Sequence, residues 1–140
     1  MICRAPLPAS VHECLETLGS VVARCRGVVF AYLFGSVACG AITPLSDVDL
    51  AIYVDDREDL NEIRDRVLHA VTAHLGTDEV DLVVLNIAPT ALQGRILQGR
   101  RVLCDLQPVR RHQYESRVMR EFLDFRRFEH NILKRRFGSG

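Results

Sequence analysis

Residues 28–54 read VVFAYLFGSVACGAITPLSDVDLAIYV, and this stretch decides how the chain folds. From Val28 to Phe34 the run is almost wholly apolar and is bounded by Gly27 and Gly35. Its length and composition predict a strand buried on both faces. Gly35-Ser36 breaks it, and Gly40, Thr43, Pro44 and Ser46 mark a turn-rich loop. A second strand is predicted from Asp47 to Val54. Asp47 and Asp49 are two residues apart on it, so their side chains share one face, about 6.6 Å apart along the strand. Two carboxylates on an otherwise apolar strand repel each other. Either a cation lies between them or their pKa values rise. A pair of Mg²⁺ ions roughly 3.5–4 Å apart resolves the conflict, and hard oxygen ligands are what Mg²⁺ prefers.

Working outward, Val80 to Ile87 predicts a third strand, with Asp81 near its start. Asp81 reads as a third carboxylate of the same site, or as an acidic residue at an exposed strand end. Gly35-Ser36 supplies the anion side of the chemistry. Glycine lets the backbone approach a phosphate, and the amides of a following turn can donate to it. Such a pair after a strand is common. Its spacing, Gly-Ser, ten residues, then Asp-x-Asp, is what gives it meaning.

The flanks read as helices. Ser10 and Glu13 form a capping box ahead of the stripe Val11, Cys14, Leu15, Leu18, Val22 and Cys25. Asp59 and Glu62 open a second helix, with Leu60, Ile63, Val67, Leu68, Val71 and Leu75 as its apolar side and Gly76 at its end. A short helix is predicted from about Pro89 to Leu97, and Val102 to Cys104 suggests a fourth short strand. After Pro108 a helical pattern runs to about Arg136, with Tyr114, Val118, Phe122, Phe125, Ile132 and Leu133 as candidate buried positions. The expected class is α/β (α+β), a small mixed sheet of three or four strands flanked by helices. A single domain is expected over residues 1–137, with a core at 28–87 and a C-terminal helical segment at 108–136. Gly138-Ser139-Gly140 reads as a flexible tail.

A chain of 140 residues, 48% hydrophobic and 26% charged, suits one globular domain. No apolar run approaches the ~20 residues that span a bilayer. The first residues lack the charged-then-apolar order of a secretory signal, so a cytoplasmic location is expected. Cys3, Cys14, Cys25, Cys39 and Cys104 are scattered, without a C-x-x-C pair, and read as reduced core thiols. Histidines 12, 69, 74, 112 and 130 show no ligand spacing. The net charge of zero hides a division. Residues 1–94 hold 6 Lys/Arg against 13 Asp/Glu, and residues 95–140 hold 12 against 5. An acidic, cation-holding half therefore precedes a basic half suited to phosphate or an acidic partner, or simply to a solvated helix.

Phe34-Gly35-Ser36-Val37-Ala38-Cys39-Gly40, with Ser46-Asp47-Val48-Asp49-Leu50-Ala51, resembles the signature of the polymerase-β-type nucleotidyltransferase superfamily. The small size points to its minimal nucleotidyltransferase (MNT) branch, the antitoxins paired with HEPN-domain RNase toxins. The resemblance implies that Gly35 and Ser36 hold the nucleotide triphosphate. It implies that Asp47 and Asp49 coordinate Mg²⁺, two ions in all. Asp81 would complete metal binding and help activate the acceptor hydroxyl. The implied activity is transfer of AMP from ATP to a tyrosine of a cognate HEPN toxin, which silences it. One departure is that Cys39 stands where the family often has Arg, and a thiol cannot replace that charge. Cys39 favours an alternative, an antitoxin that blocks its partner sterically. Transfer to a small molecule or RNA is a third reading. The length after the third strand leaves little room for a substrate domain, and no aromatic-interleaved RNA motif accompanies the basic segment. Arg126, Arg127, Lys134, Arg135 and Arg136 are the basic candidates for meeting a partner or nucleotide phosphates.

Overall fold

The computed structural model describes residues 11–35 and 48–136. In chain order the elements are α1 (Val11–Ala23), β1 (Val28–Phe34), β2 (Val48–Val54), α2 (Leu60–Leu75) and β3 (Val80–Val84). A 3₁₀ turn (Leu85–Ile87), α3 (Thr90–Gln98), β4 (Arg101–Asp105) and α4 (Pro108–Arg136) follow. The Ser10 cap and the loop through Gly40, Thr43, Pro44 and Ser46 lie outside the described residues, as do Cys3, Cys39 and the 138–140 tail.

The four strands form one mixed sheet in the order β3-β2-β1-β4. β1 pairs antiparallel with β2 and with β4, while β2 and β3 run parallel. Helices cover both faces. On one, Leu18 and Val22 of α1 and Ile63, Val67 and Val71 of α2 pack on Leu33, Leu50, Ile52 and Val54. On the other, Ile96 and Leu97 of α3 and Tyr114 and Val118 of α4 pack on Phe30, Tyr32 and Ala51. Alternation along β2 divides the two sets, as a strand apolar on both faces must. β1 breaks strict alternation, because its register shifts between Val28 and Phe30 and both Val29 and Phe30 face the second core.

Local signals explain the boundaries. The Asp59 carboxylate accepts the Asn61 N–H at 2.9 Å and caps α2, and Gly76 ends that helix at φ 68°. The third strand is shorter than its apolar run predicts, stopping at Val84 rather than Ile87. Asn86 accounts for the early stop. Its side chain accepts the Val54 N–H at 2.9 Å and donates to the Val54 carbonyl at 2.8 Å, taking over from the β3 backbone at that row.

A charged network seals α4 to the β1–β4 edge. The Tyr32 hydroxyl donates to Glu115 at 2.6 Å, Arg100 and Arg111 also reach Glu115, and Arg111 reaches Asp105 at 2.8 Å. Burial works against ionisation of Glu115, but the Tyr32 hydrogen bond and the two arginines outweigh it and hold its carboxyl below the usual range. Along α4, Tyr114, Val118 and Phe122 are buried as their spacing predicts. Phe125, Ile132 and Leu133 are not, at 43%, 39% and 50% exposed. The apolar period continues, but the helix has passed the edge of the body.

Where α3 and α4 cross, Gly94 lies against the Phe122 ring so closely that a Cβ would overlap it. Gly94→Val therefore overpacks the contact, at a cost of about 1–3 kcal/mol. A fall of roughly 4–12 °C in melting temperature is expected, read by circular dichroism. An unchanged melting temperature would show that Phe122 swings aside freely.

Candidate active site

Three elements end at the same margin of the sheet. β1 runs out at Phe34, which pairs with Asp49 of β2, and Asp49 pairs in turn with Asp81 of β3. Residues paired in register point to the same face, and neighbouring strands lie about 4.8 Å apart. Asp49 and Asp81 are thus adjacent carboxylates on one face. Alternation identifies which face it is. Ala51, Tyr53 and Val83, two and four residues further along, belong to the core under α3 and α4. The carboxylates occupy the margin of that face, Asp49 half-buried and Asp81 exposed.

Gly35 closes the margin from the β1 side. Its φ of 76° is left-handed, and a Cβ there would overlap Oδ2 of Asp49. Only glycine lets the turn leave β1 in that direction and lets the backbone approach the carboxylate so closely. Of the predicted site, Gly35, Asp49 and Asp81 are brought together. Ser36 and Asp47 lie outside the described residues. Among the described residues no three His, Cys, Asp or Glu side chains gather as a metal site. The two that do meet have the right chemistry for a hard cation, being carboxylates in register, partly open to water, with a glycine turn beside them.

The predicted basic candidates are placed differently. Arg126, Arg127, Lys134 and Arg135 are exposed on the outer half of α4, with the Arg126 guanidinium 5.8 Å from the Phe122 ring centroid. Two further arginines went unread in the sequence. Arg110 and Arg117 stand on the inner half of α4 and line a pocket with Tyr53, Gln113 and Tyr114. The signal available was the spacing of 110, 113, 114 and 117, which is one helix face.

The family described as polymerase beta, nucleotidyltransferase matches residues 16–108 of the chain. No curated protein matches it. Among solved structures, a chain from the complex of tri-AMPylated Shewanella oneidensis HEPN toxin with MNT antitoxin superposes with a TM-score of 0.67 at 18% identity, covering 91% of this chain and 98% of that one. A mutant of the toxin–antitoxin pair MntA-HpeT gives a TM-score of 0.71 at 20% identity, over 89% and 98%. A toxin–antitoxin structure with AMP-PNP gives 0.65 at 21% identity, over 88% and 94%. At these identities the likeness is one of fold. No helix among the described residues is long and apolar enough to cross a membrane.

Proposed function

The chain belongs to the polymerase beta nucleotidyltransferase family, and from that membership we propose that it transfers AMP from ATP to a hydroxyl of a HEPN-type partner protein and so acts as its antitoxin. The observation that carries the proposal is the pairing of Asp49 with Asp81 against the left-handed Gly35 turn. The neighbours of like fold support the choice of partner and donor, since one is named for an AMPylated HEPN toxin with its antitoxin and another for AMP-PNP. The working unit is taken as one domain over residues 1–137.

In this reading the Gly35-Ser36 turn binds the triphosphate through backbone N–H groups, with the glycine allowing close approach. Asp49 and Asp81, with Asp47 one residue before β2, would hold magnesium. When bound, magnesium supplies positive charge against the triphosphate and the departing pyrophosphate. Asp81, exposed at the margin, orients the acceptor hydroxyl and takes its proton. The acceptor oxygen bonds to the α-phosphorus as the bond to the β-phosphate oxygen breaks. Positioning and charge balance do most of the work. The outer half of α4 offers the partner a place to dock. Leu123, Phe128 and Leu133 are each at least 50% exposed there, amid the basic residues.

The test is the intact mass of the partner, taken from the adjacent reading frame, after incubation with the chain, ATP and Mg²⁺. Gain of AMP, stopped by EDTA, is expected. Inhibition of the partner with no gain in mass would instead establish the steric antitoxin that Cys39 favours.

A further inference from the structure

Arg110, Gln113, Tyr114 and Arg117 form one face of α4 and, with Tyr53 of β2, line an open pocket of about 220 Å³. Each guanidinium lies over a tyrosine. Arg110 is 5.5 Å from the Tyr53 centroid and Arg117 is 5.6 Å from that of Tyr114. The rings are themselves fixed, Tyr53 stacked on Phe30 at 4.9 Å and Tyr114 donating its hydroxyl to Gln93 at 2.6 Å. A guanidinium over a ring face spends no N–H group on that contact, which leaves its donors for a forked oxyanion such as phosphate. On the other side of the helix Arg111 is consumed by Asp105 and Glu115. No carboxylate among the described residues pairs with Arg110 or Arg117 in this way. A positively charged pocket that holds no carboxylate among its lining residues suits an external anion.

Its place narrows the choice. Tyr53 is on the same sheet face as Asp49, four residues further along β2, or about 13 Å. The triphosphate under attack belongs at the Gly35 turn, beside Asp49, so a phosphate in the pocket belongs to a second molecule. Resting on the transferase reading above, we propose that this pocket is a second phosphate subsite, which holds an adenylate already attached to the acceptor while a further AMP is added.

The chemistry is self-consistent. A first transfer leaves a phosphodiester with one negative charge, and the attached adenosine brings new ribose hydroxyls to the reaction. In the next round a ribose oxygen bonds to the α-phosphorus of a fresh ATP. The bond from that phosphorus to the β-phosphate oxygen breaks, pyrophosphate leaves with the electron pair, and the hydroxyl proton passes to Asp81. Arg110 and Arg117 hold the earlier phosphate meanwhile, and the Gln113 amide offers a donor and an acceptor to the base edge.

The double variant Arg110→Gln, Arg117→Gln tests this and leaves Gly35, Asp49 and Asp81 untouched. Calorimetry with AMP, without divalent cations, should show binding to the wild type and at least a tenfold loss in the variant. Intact mass of the partner over time should show more than one AMP added by the wild type. The variant should make the first addition at the wild-type rate and then stop. Equal AMP affinity in the two proteins, or a wild type that stops at one AMP, overturns the proposal. So does a raised KM for ATP in the first addition, which would assign the pocket to the incoming nucleotide. A raised KM for unmodified partner overturns it likewise, assigning the pocket to an acidic segment of that protein. If the wild type adds no AMP at all, it is the transferase reading that fails, and the AMP titration alone then judges the pocket.

Discussion

Asp49→Asn lowers the rate of AMP transfer at least a hundredfold, on the order of what a removed catalytic charge costs, while the protein still folds and melts within a few degrees of wild type. The asparagine keeps the shape of the side chain in its row between Phe34 and Asp81. What it loses is one negative charge and the acceptor-only character that a hard cation needs. It also relieves the repulsion between two carboxylates on neighbouring strands. Initial rates of partner AMPylation, beside thermal melts of the same preparation, read both quantities. A variant that transfers at the wild-type rate would remove Asp49 from the chemistry. A variant that melts far below wild type would make it a structural residue.

Gly35→Ala damages the same site from the other side. An L residue forced to φ 76° pays about 1–2 kcal/mol for its backbone alone. The added Cβ also meets Oδ2 of Asp49, so the carboxylate must turn away from its place beside Asp81. Misplacing a reacting group by about 1 Å can cost a hundredfold in rate, and a loss of that size is expected. Gly76→Ala is the matching control. Gly76 ends α2 at φ 68°, but its Cβ would enter open space. The two variants should lose similar stability, and only Gly35→Ala should lose activity. Equal activity in both would mean that contact with Asp49 is of no catalytic consequence.

Much of this was readable in the residues themselves. β1 covers the apolar run from Val28 to Phe34 because two glycines punctuate it, and α2 keeps the limits that Asp59 and Gly76 set. Asp81 could be read either as a site residue or as a strand end. Only the parallel register with Asp49 joins it to the site, and register is a long-range property. Two expectations failed. Leu85–Ile87 has strand composition, yet a side chain from the same turn, Asn86, satisfies the neighbouring strand instead. Phe125, Ile132 and Leu133 continue the apolar period, but nothing in a period says where the body beneath the helix ends. The pocket was hidden because Tyr53 and Arg110 are distant in sequence and meet only through packing of α4 on the sheet.

The 29 residues of α4 form one uninterrupted rod about 43 Å long. Its first half is clamped to the sheet through Tyr32, Glu115 and Arg111, and its second half stands clear. Such a rod acts as a ruler and a compass at once. Anything that grips the free end is delivered to the carboxylates at a set distance and azimuth. Adding one residue midway would swing the grip by about 100°, whereas a whole turn would nearly preserve its bearing and shift it by about 5.4 Å.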